Sequence, residues 1–218
     1  MPDHGGLTAV RPKGAADEAA AKGAKKKGAE EAATRGYVRD YLQRSLNVQQ
    51  SLPVEEMAHL IEILQRARDE KRQVFLCGNG GSASTASHLA AWLGKDGSKS
   101  GKHRFRVVSL TDNIPWITSL ANDEEYAAVF VEQLKNYAQP DDVLIAFSGS
   151  GNSPNVIRAI EWGNQLGMLT VGITGRPGGK LGKLAKLPVF VESEHLGHVE
   201  EGHFLIQHLV SYFFVEMG

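Results

Sequence analysis

The chain has 218 residues, of which 42% are hydrophobic and 22% are charged, and its formal net charge is −1. This length accommodates one α/β domain with extensions, and the near-neutral balance does not favour nucleic acid as a partner. The single cysteine, Cys77, excludes an internal disulfide framework and fits a reducing compartment. No apolar run reaches the roughly 18 residues of a membrane span, and we find no signal-peptide core near the N-terminus. We therefore expect a soluble, cytoplasmic protein.

Residues 1–35 differ in composition from the rest of the chain, since Ala, Gly, Lys and Glu dominate and aromatic residues are absent. Because such a segment buries little apolar surface, we predict a disordered tail that is helical at most in its Ala-rich part. The globular domain is predicted to span residues 36–218. Its first part contains two amphipathic segments separated by Pro53, which we interpret as helices that cap the fold or pack against another subunit.

Two stretches share one pattern, an apolar strand followed by a glycine and serine turn and then a helix. They are residues 73–95, QVFLCGNGGSASTASHLAAWLGK, and residues 143–160, VLIAFSGSGNSPNVIRAI. In such a unit the backbone N–H groups of the turn and of the helix N-terminus converge, which favours an anion. The hydroxyls of the two turns add uncharged donors that suit a phosphate monoester. The sequence therefore predicts a phosphorylated ligand at the carboxyl ends of parallel strands.

Three further apolar segments, FRVVSL, LTVGIT and PVFVES, alternate with helical segments along the chain. This alternation predicts a doubly wound, parallel α/β sheet. Asp112 follows FRVVSL and so lies at the edge where such sheets bind ligands. Residues 94–104, GKDGSKSGKHR, are predicted to form an exposed loop.

The predicted C-terminal helix carries four polar side chains that could act on a ligand, Glu200, Glu201, His203 and His208. Glu200 and His208 are separated by about two turns and can share one face. Together with His88, they could bind a divalent metal ion or perform acid–base chemistry. A single histidine is more often a packed or surface residue, but His88 follows the first turn directly, which favours a place near the ligand.

The segment GNGGSA, residues 78–83, also matches the dinucleotide fingerprint G-x-G-x-x-A. That fingerprint expects an acidic residue at the end of a second strand about 20 residues further on. Here that region offers only Asp96 in a polar loop, and a second serine-rich turn is not a feature of dinucleotide sites. The phosphate-monoester interpretation is therefore favoured.

Six motifs occur in a fixed order: CGNGGSAS, SHLA, ANDEEY, SGSGNSPNVIRAI, ITGRPGGKL and EEGHFLIQH. Together they resemble the sugar isomerase (SIS) domain family, and within it the phosphoheptose isomerases, over nearly the whole chain except the tail. The resemblance implies a five-stranded, flavodoxin-like parallel sheet flanked by helices. It also implies a homotetramer held by the leading helices, with active sites at subunit interfaces. The implied reaction converts sedoheptulose 7-phosphate to D-glycero-D-manno-heptose 7-phosphate through an enediol.

The resemblance also implies roles for individual residues. The positions that match substrate-binding positions are Asn79, Gly80, Ser82, Asp112, Asn122, Ser148, Ser150 and Ser153. His88 and His208 match zinc-binding positions, and the His208 position also serves as an acid–base group. Glu200 stands where many members have glutamine, and its carboxylate can still bind a metal ion. One zinc ion per subunit, held by His88, Glu200 and His208, is therefore the cofactor that the resemblance implies.

Two positions depart from the family. The glutamate expected four residues after His88, a zinc ligand and catalytic base, is Trp92, and a frequent threonine of the second turn is Gly149. One hypothesis is an isomerase in which His208 and Glu200 carry the chemistry and Glu200 replaces the lost glutamate. The other is a non-catalytic phosphosugar-binding or scaffold protein, which Trp92 favours. The retained Glu200 and His208 favour the isomerase.

Overall fold

The computed structural model describes residues 13–99 and 103–217, with side chains from residue 26 onward. The helices are α1 Lys13–Gln50, α2 Val54–Asp69, α3 Gly81–Lys95, α4 Ile114–Asp123, α5 Val131–Tyr137, α6 Pro154–Leu166, α7 Leu181–Leu184 and α8 Leu196–Glu216. The strands are β1 Gln73–Cys77, β2 Arg106–Ser109, β3 Val143–Ser148, β4 Leu169–Gly175 and β5 Leu187–Val191. A 3-10 turn covers Tyr126–Ala128.

The strands form one parallel sheet in the order β2-β1-β3-β4-β5. This confirms the predicted doubly wound α/β fold and the five strands that the resemblance implies. Every residue of the central strand β3 is buried, because helices cover both faces of the sheet. Since β2 and β3 lie on opposite sides of β1, the strand order reverses there. Such a reversal leaves a crevice at the carboxyl ends of the two diverging strands, β1 and β3.

An apolar layer packs on each face of the sheet. On one face Ile145 belongs to a cluster with Leu60 of α2 and Ile206 of α8. On the other face Leu144 belongs to a cluster with Ile160 of α6 and with α5 side chains. Neighbouring strand residues serve opposite layers because side chains alternate along a strand. The layers hold α3, α6 and α8 against the sheet and so fix the places where these helices begin.

Helix α1 begins at Lys13, so the Ala-rich part of the predicted tail is helical. Residues 1–12 of that tail lie outside the described residues. The contacts divide the chain into an N-terminal unit, residues 1–44, and a main unit, residues 45–218. In the N-terminal unit the large side chains of Tyr37 and Leu42 are 62% and 63% exposed. The predicted domain boundary after residue 35 stays a prediction.

The remaining connections agree with the turn residues of the sequence. Helix α2 starts directly after Pro53, as predicted. The loop predicted over residues 94–104 falls partly on residues 100–102, which lie outside the described residues, and α3 extends into it as far as Lys95. Burial in β1 raises the pKa of the Cys77 thiol to about 12, so Cys77 packs as an apolar side chain. No helix in the described ranges has the length and apolar content needed to cross a membrane.

Candidate active site

The first glycine turn connects β1 to α3 and holds three of the predicted substrate-binding residues, Asn79, Gly80 and Ser82. A Cβ at Gly78 would lie 2.7 Å from the Ser82 backbone, so only glycine fits there. Gly80 has a φ of +54°, a conformation that glycine adopts without strain. The Ser82 N–H donates to the Asn79 carbonyl at 3.0 Å, which closes the turn. The result is a tight turn directly under the N-terminus of α3.

The second turn connects β3 to α6 and brings together Ser148, Ser150 and Ser153. The Ser148 and Ser153 hydroxyls are hydrogen-bonded at 3.2 Å. Gly151 has a φ of +66°, and a Cβ there would overlap the carbonyl oxygen of Gly178. With its positive φ and this close approach, the turn requires glycine at position 151. The three hydroxyls therefore lie at the N-terminus of α6, as the sequence predicts.

A pair of amide side chains joins the two turns. The Asn79 Nδ2 donates to Asn155 Oδ1 at 2.9 Å, and the Asn155 Nδ2 donates to Asn79 Oδ1 at 2.8 Å. The Tyr126 hydroxyl donates to the same Asn79 oxygen at 3.0 Å. Asn79 thus fixes the spacing of the turns, with one N–H left for a ligand. Sequence reasoning did not assign Asn155 or Tyr126, although both belong to the quoted motifs SGSGNSPNVIRAI and ANDEEY.

The two turns open on one cavity of about 220 Å³. Its lining contains five of the predicted substrate-binding residues and the carboxylate of Glu200; the lining residues are Asn79, Ser82, Phe147, Ser148, Gly149, Ser150, Ser153, Leu196 and Glu200. None of these described lining residues is a lysine or arginine. The cavity thus offers an anion hydroxyls and the N-termini of α3 and α6 rather than a cation.

Glu200 reaches this cavity from α8. Its carboxylate lies over Gly81, where a Cβ would be only 2.8 Å from Glu200 Oε1. Because the first residue of α3 is glycine, the Glu200 carboxylate has room next to the two glycine and serine turns. Among the predicted catalytic residues, Glu200 is the one that the structure brings to the turns.

Asp112 and Asn122 lie elsewhere in the described chain. Asp112 follows β2, accepts hydrogen bonds from Ser87 and Thr111, and lines a separate cavity of about 670 Å³ beside the edge strand. Asn122 is exposed in α4 and donates to Asp123 at 2.8 Å. The larger cavity contains neither glycine turn. The turns therefore identify the site, and neither Asp112 nor Asn122 shares their cavity.

His88 and His208 meet in an aromatic cluster that also contains Trp92, Phe204 and Tyr212. The His88 and His208 rings cross edge-on with centroids 5.2 Å apart, and Phe204 stacks on His88 at 5.2 Å. The Trp92 Nε1–H donates to His88 Nε2 at 2.9 Å. Partial burial first, and the nearby His88 second, lower the pKa of His208. Both effects favour the neutral imidazole form of His208, which can accept a proton.

The three residues predicted to bind zinc do not form one set. The Glu200 carboxylate lies over Gly81, whereas His88 and His208 lie in the aromatic cluster. His88 has hydrogen-bond partners at both ring nitrogens, Trp92 at Nε2 and Gln207 at Nδ1. Among the side chains described, those of residues 26–99 and 103–217, no three His, Cys, Asp or Glu are grouped to hold a metal ion. The residues present therefore do not fit the zinc ion that the resemblance implies.

Comparison with known sequences places these features in a family. The sequence profile of the SIS domain matches residues 36–175. A phosphoheptose isomerase from Crocosphaera subtropica is 37% identical over 155 residues, which are 71% of this chain and 78% of that protein. One from Helicobacter pylori is 36% identical over 177 residues, 79% of this chain and 87% of that protein.

Solved structures show the same fold. The phosphoheptose isomerase of Neisseria gonorrhoeae aligns with a TM-score of 0.76 and 27% identity, covering 83% of this chain and 98% of that one. A phosphoheptose isomerase from Francisella tularensis aligns with a TM-score of 0.74 and 24% identity, covering 83% and 95%. The helix-flanked parallel sheet described above is thus the fold of these proteins.

Proposed function

We propose a function for this chain from the family to which it belongs, the phosphoheptose isomerase group of the SIS domain family. The protein is a phosphosugar isomerase that converts sedoheptulose 7-phosphate to D-glycero-D-manno-heptose 7-phosphate. The observation that carries the proposal is the shared cavity of the two Ser/Gly turns, which offers an anion site and a carboxylate side by side.

The phosphate group binds at the second turn. A phosphate dianion and the Glu200 carboxylate repel each other, so the two occupy different parts of the cavity. Ser148, Ser150 and Ser153 surround the N-terminus of α6 and supply neutral donors, whereas Glu200 lies over the first turn. With the phosphate at the second turn, the sugar carbons extend toward Glu200 and the first turn.

The reaction moves one proton between neighbouring carbons. A base takes a proton from C1 while an acid protonates the C2 carbonyl oxygen, which gives the enediol. Return of a proton to C2 and loss of the C1 hydroxyl proton then form the aldehyde at C1. Each proton removed is returned, so the step needs only groups that hold and release protons.

Glu200 is the base in this proposal, because it is the carboxylate of the cavity and stands in for the glutamate replaced by Trp92. His208 is the second proton carrier. The two lie eight residues apart on α8, about 12 Å along its axis, which is too far for both to reach the adjacent C1 and C2. Glu200 is therefore assigned to C1, and the role of His208 rests on the family resemblance. Its lowered pKa keeps it able to accept a proton near neutral pH.

We also propose a cytoplasmic homotetramer with leading helices at its interfaces. Support comes from exposed large apolar side chains on α1, Tyr37, Val38 and Leu42, and on α8, Phe204 and Leu209. On each helix these exposed apolar side chains offer surface that another chain can bury. Light scattering of the purified protein tests the tetramer, and a monomer at micromolar concentration would contradict it.

The functional test is turnover of sedoheptulose 7-phosphate by the purified full chain, with the aldose product resolved by chromatography. Ser150→Ala should raise KM, and Glu200→Gln and His208→Ala should each lower kcat about 10²- to 10⁴-fold. Binding of the substrate without any turnover would contradict the isomerase. It would leave the non-catalytic phosphosugar-binding protein as the function.

A further inference from the structure

The His88 imidazole is held in one protonation form by its two partners. An indole N–H can only donate, so the bond from Trp92 Nε1 at 2.9 Å makes His88 Nε2 the acceptor. A neutral imidazole that accepts at Nε2 carries its proton on Nδ1. The hydrogen bond from Trp92 therefore selects the Nδ1–H tautomer of His88.

Gln207 completes this arrangement from α8. Its amide group lies 3.0 Å from His88 Nδ1. Gln207 belongs to α8 and His88 to α3, so this contact joins the two helices. Because Nδ1 carries the proton, the amide orientation that fits places Gln207 Oε1 toward it as acceptor.

An imidazole binds a metal ion through an unshared electron pair. In His88 the Nε2 pair accepts the Trp92 N–H, and the Nδ1 position carries a proton that Gln207 accepts. Trp92 itself has no atom that can act as a ligand, and its ring fills the space beside His88 and His208 with centroids 6.1 and 6.3 Å away.

We infer that Trp92 and Gln207 are positioning residues that close the His88 site to metal ions, so that this chain isomerises its substrate without a metal. The statement that isomerisation needs no metal ion rests on the proposed function. The statement that the His88 site is closed to metal ions does not, and it can be measured without substrate.

The experiment uses the full chain, produced in medium with added zinc. We expect less than 0.1 zinc per chain by elemental analysis, no saturable zinc binding at His88 by calorimetry, and the same turnover before and after chelation. The ¹⁵N shifts of His88, assigned by comparison with His88→Ala, should show one protonated nitrogen, Nδ1. Trp92→Phe removes only the N–H donor and should mix the two tautomers. Trp92→Glu should bind about one zinc per chain.

Tyr212→Phe is the matched control, because Tyr212 packs on Trp92 at 4.9 Å and makes no hydrogen bond to His88. It should leave the His88 shifts and the zinc content unchanged. One zinc per wild-type chain together with loss of turnover on chelation would overturn the inference, and so would unchanged His88 shifts in Trp92→Phe. Absence of turnover under all conditions would instead refute the proposed function, since zinc content and ¹⁵N shifts are read without substrate.

Discussion

Gly81→Ala should slow the reaction by moving the Glu200 carboxylate while leaving its charge in place. The new Cβ would lie 2.8 Å from Oε1 and 2.9 Å from Cδ and Oε2. These distances are roughly 0.6 Å short of ordinary nonbonded contact, so the flexible end of Glu200 must withdraw. Misplacement of a catalytic group by about 1 Å costs on the order of 10²-fold. We therefore expect kcat to fall about 10- to 100-fold.

The same change should not weaken the fold. Gly81 has no positive φ, and it begins α3, where alanine is favoured over glycine by up to about 1 kcal/mol. The melting temperature should therefore stay the same or rise. Gly94→Ala in the same helix is the control, since its Cβ would meet only Val107 Cγ1 at 3.4 Å, and its kcat should match the wild type.

A double variant separates displacement of Glu200 from obstruction of the substrate. In Glu200→Ala the carboxylate is gone, so adding Gly81→Ala should change kcat no further. Steady-state kinetics on the four proteins tests this. If Gly81→Ala raises KM equally in both backgrounds, the methyl group obstructs the phosphate, and the assignment of Glu200 as base loses its support. If both Gly81→Ala and Glu200→Gln have the kcat of the wild type, the assignment of Glu200 as the base is refuted.

Two further predictions concern stability. Burial lowers the pKa of His203 from 6.5 to about 4. Between pH 6.5 and pH 4 the unfolded chain therefore binds a proton that the folded chain does not. The free energy of unfolding consequently falls as the pH falls, by up to about 3 kcal/mol. His203→Leu should remove most of that fall in urea unfolding at pH 7 and 4.5, and an unchanged fall would contradict the buried neutral imidazole. Asn155→Ala should lower the free energy of unfolding by about 1–3 kcal/mol and raise KM, because Asn79 loses both bonds that tie the turns together. The exposed Asn136→Ala should do neither, and equal effects of the two variants would contradict the role of the amide pair.

Most of the fold could be read from local sequence. Buried strands such as VLIAF, the glycines at positions 80 and 151, and Pro53 and Pro154 specify strands, left-handed turns and helix starts through backbone sterics within a few residues. Alternation of these elements then predicts the parallel sheet, and the two turns predict the anion site. The serines of the second turn follow from the same local geometry.

The partners of the polar side chains were decided only by the tertiary structure. Asn79 and Asn155 are 76 residues apart, and His88 and Gln207 are 119 apart, so no local pattern pairs them. The helical spacing of Glu200 and His208 shows that they can share a face, but not that one lies over Gly81 and the other against Trp92. Where a side chain on a helix points depends on which element packs against that turn. The sequence by itself therefore determined the two turns that we predict to bind an anion, and the packing of α3 against α8 determined which side chains lie near them.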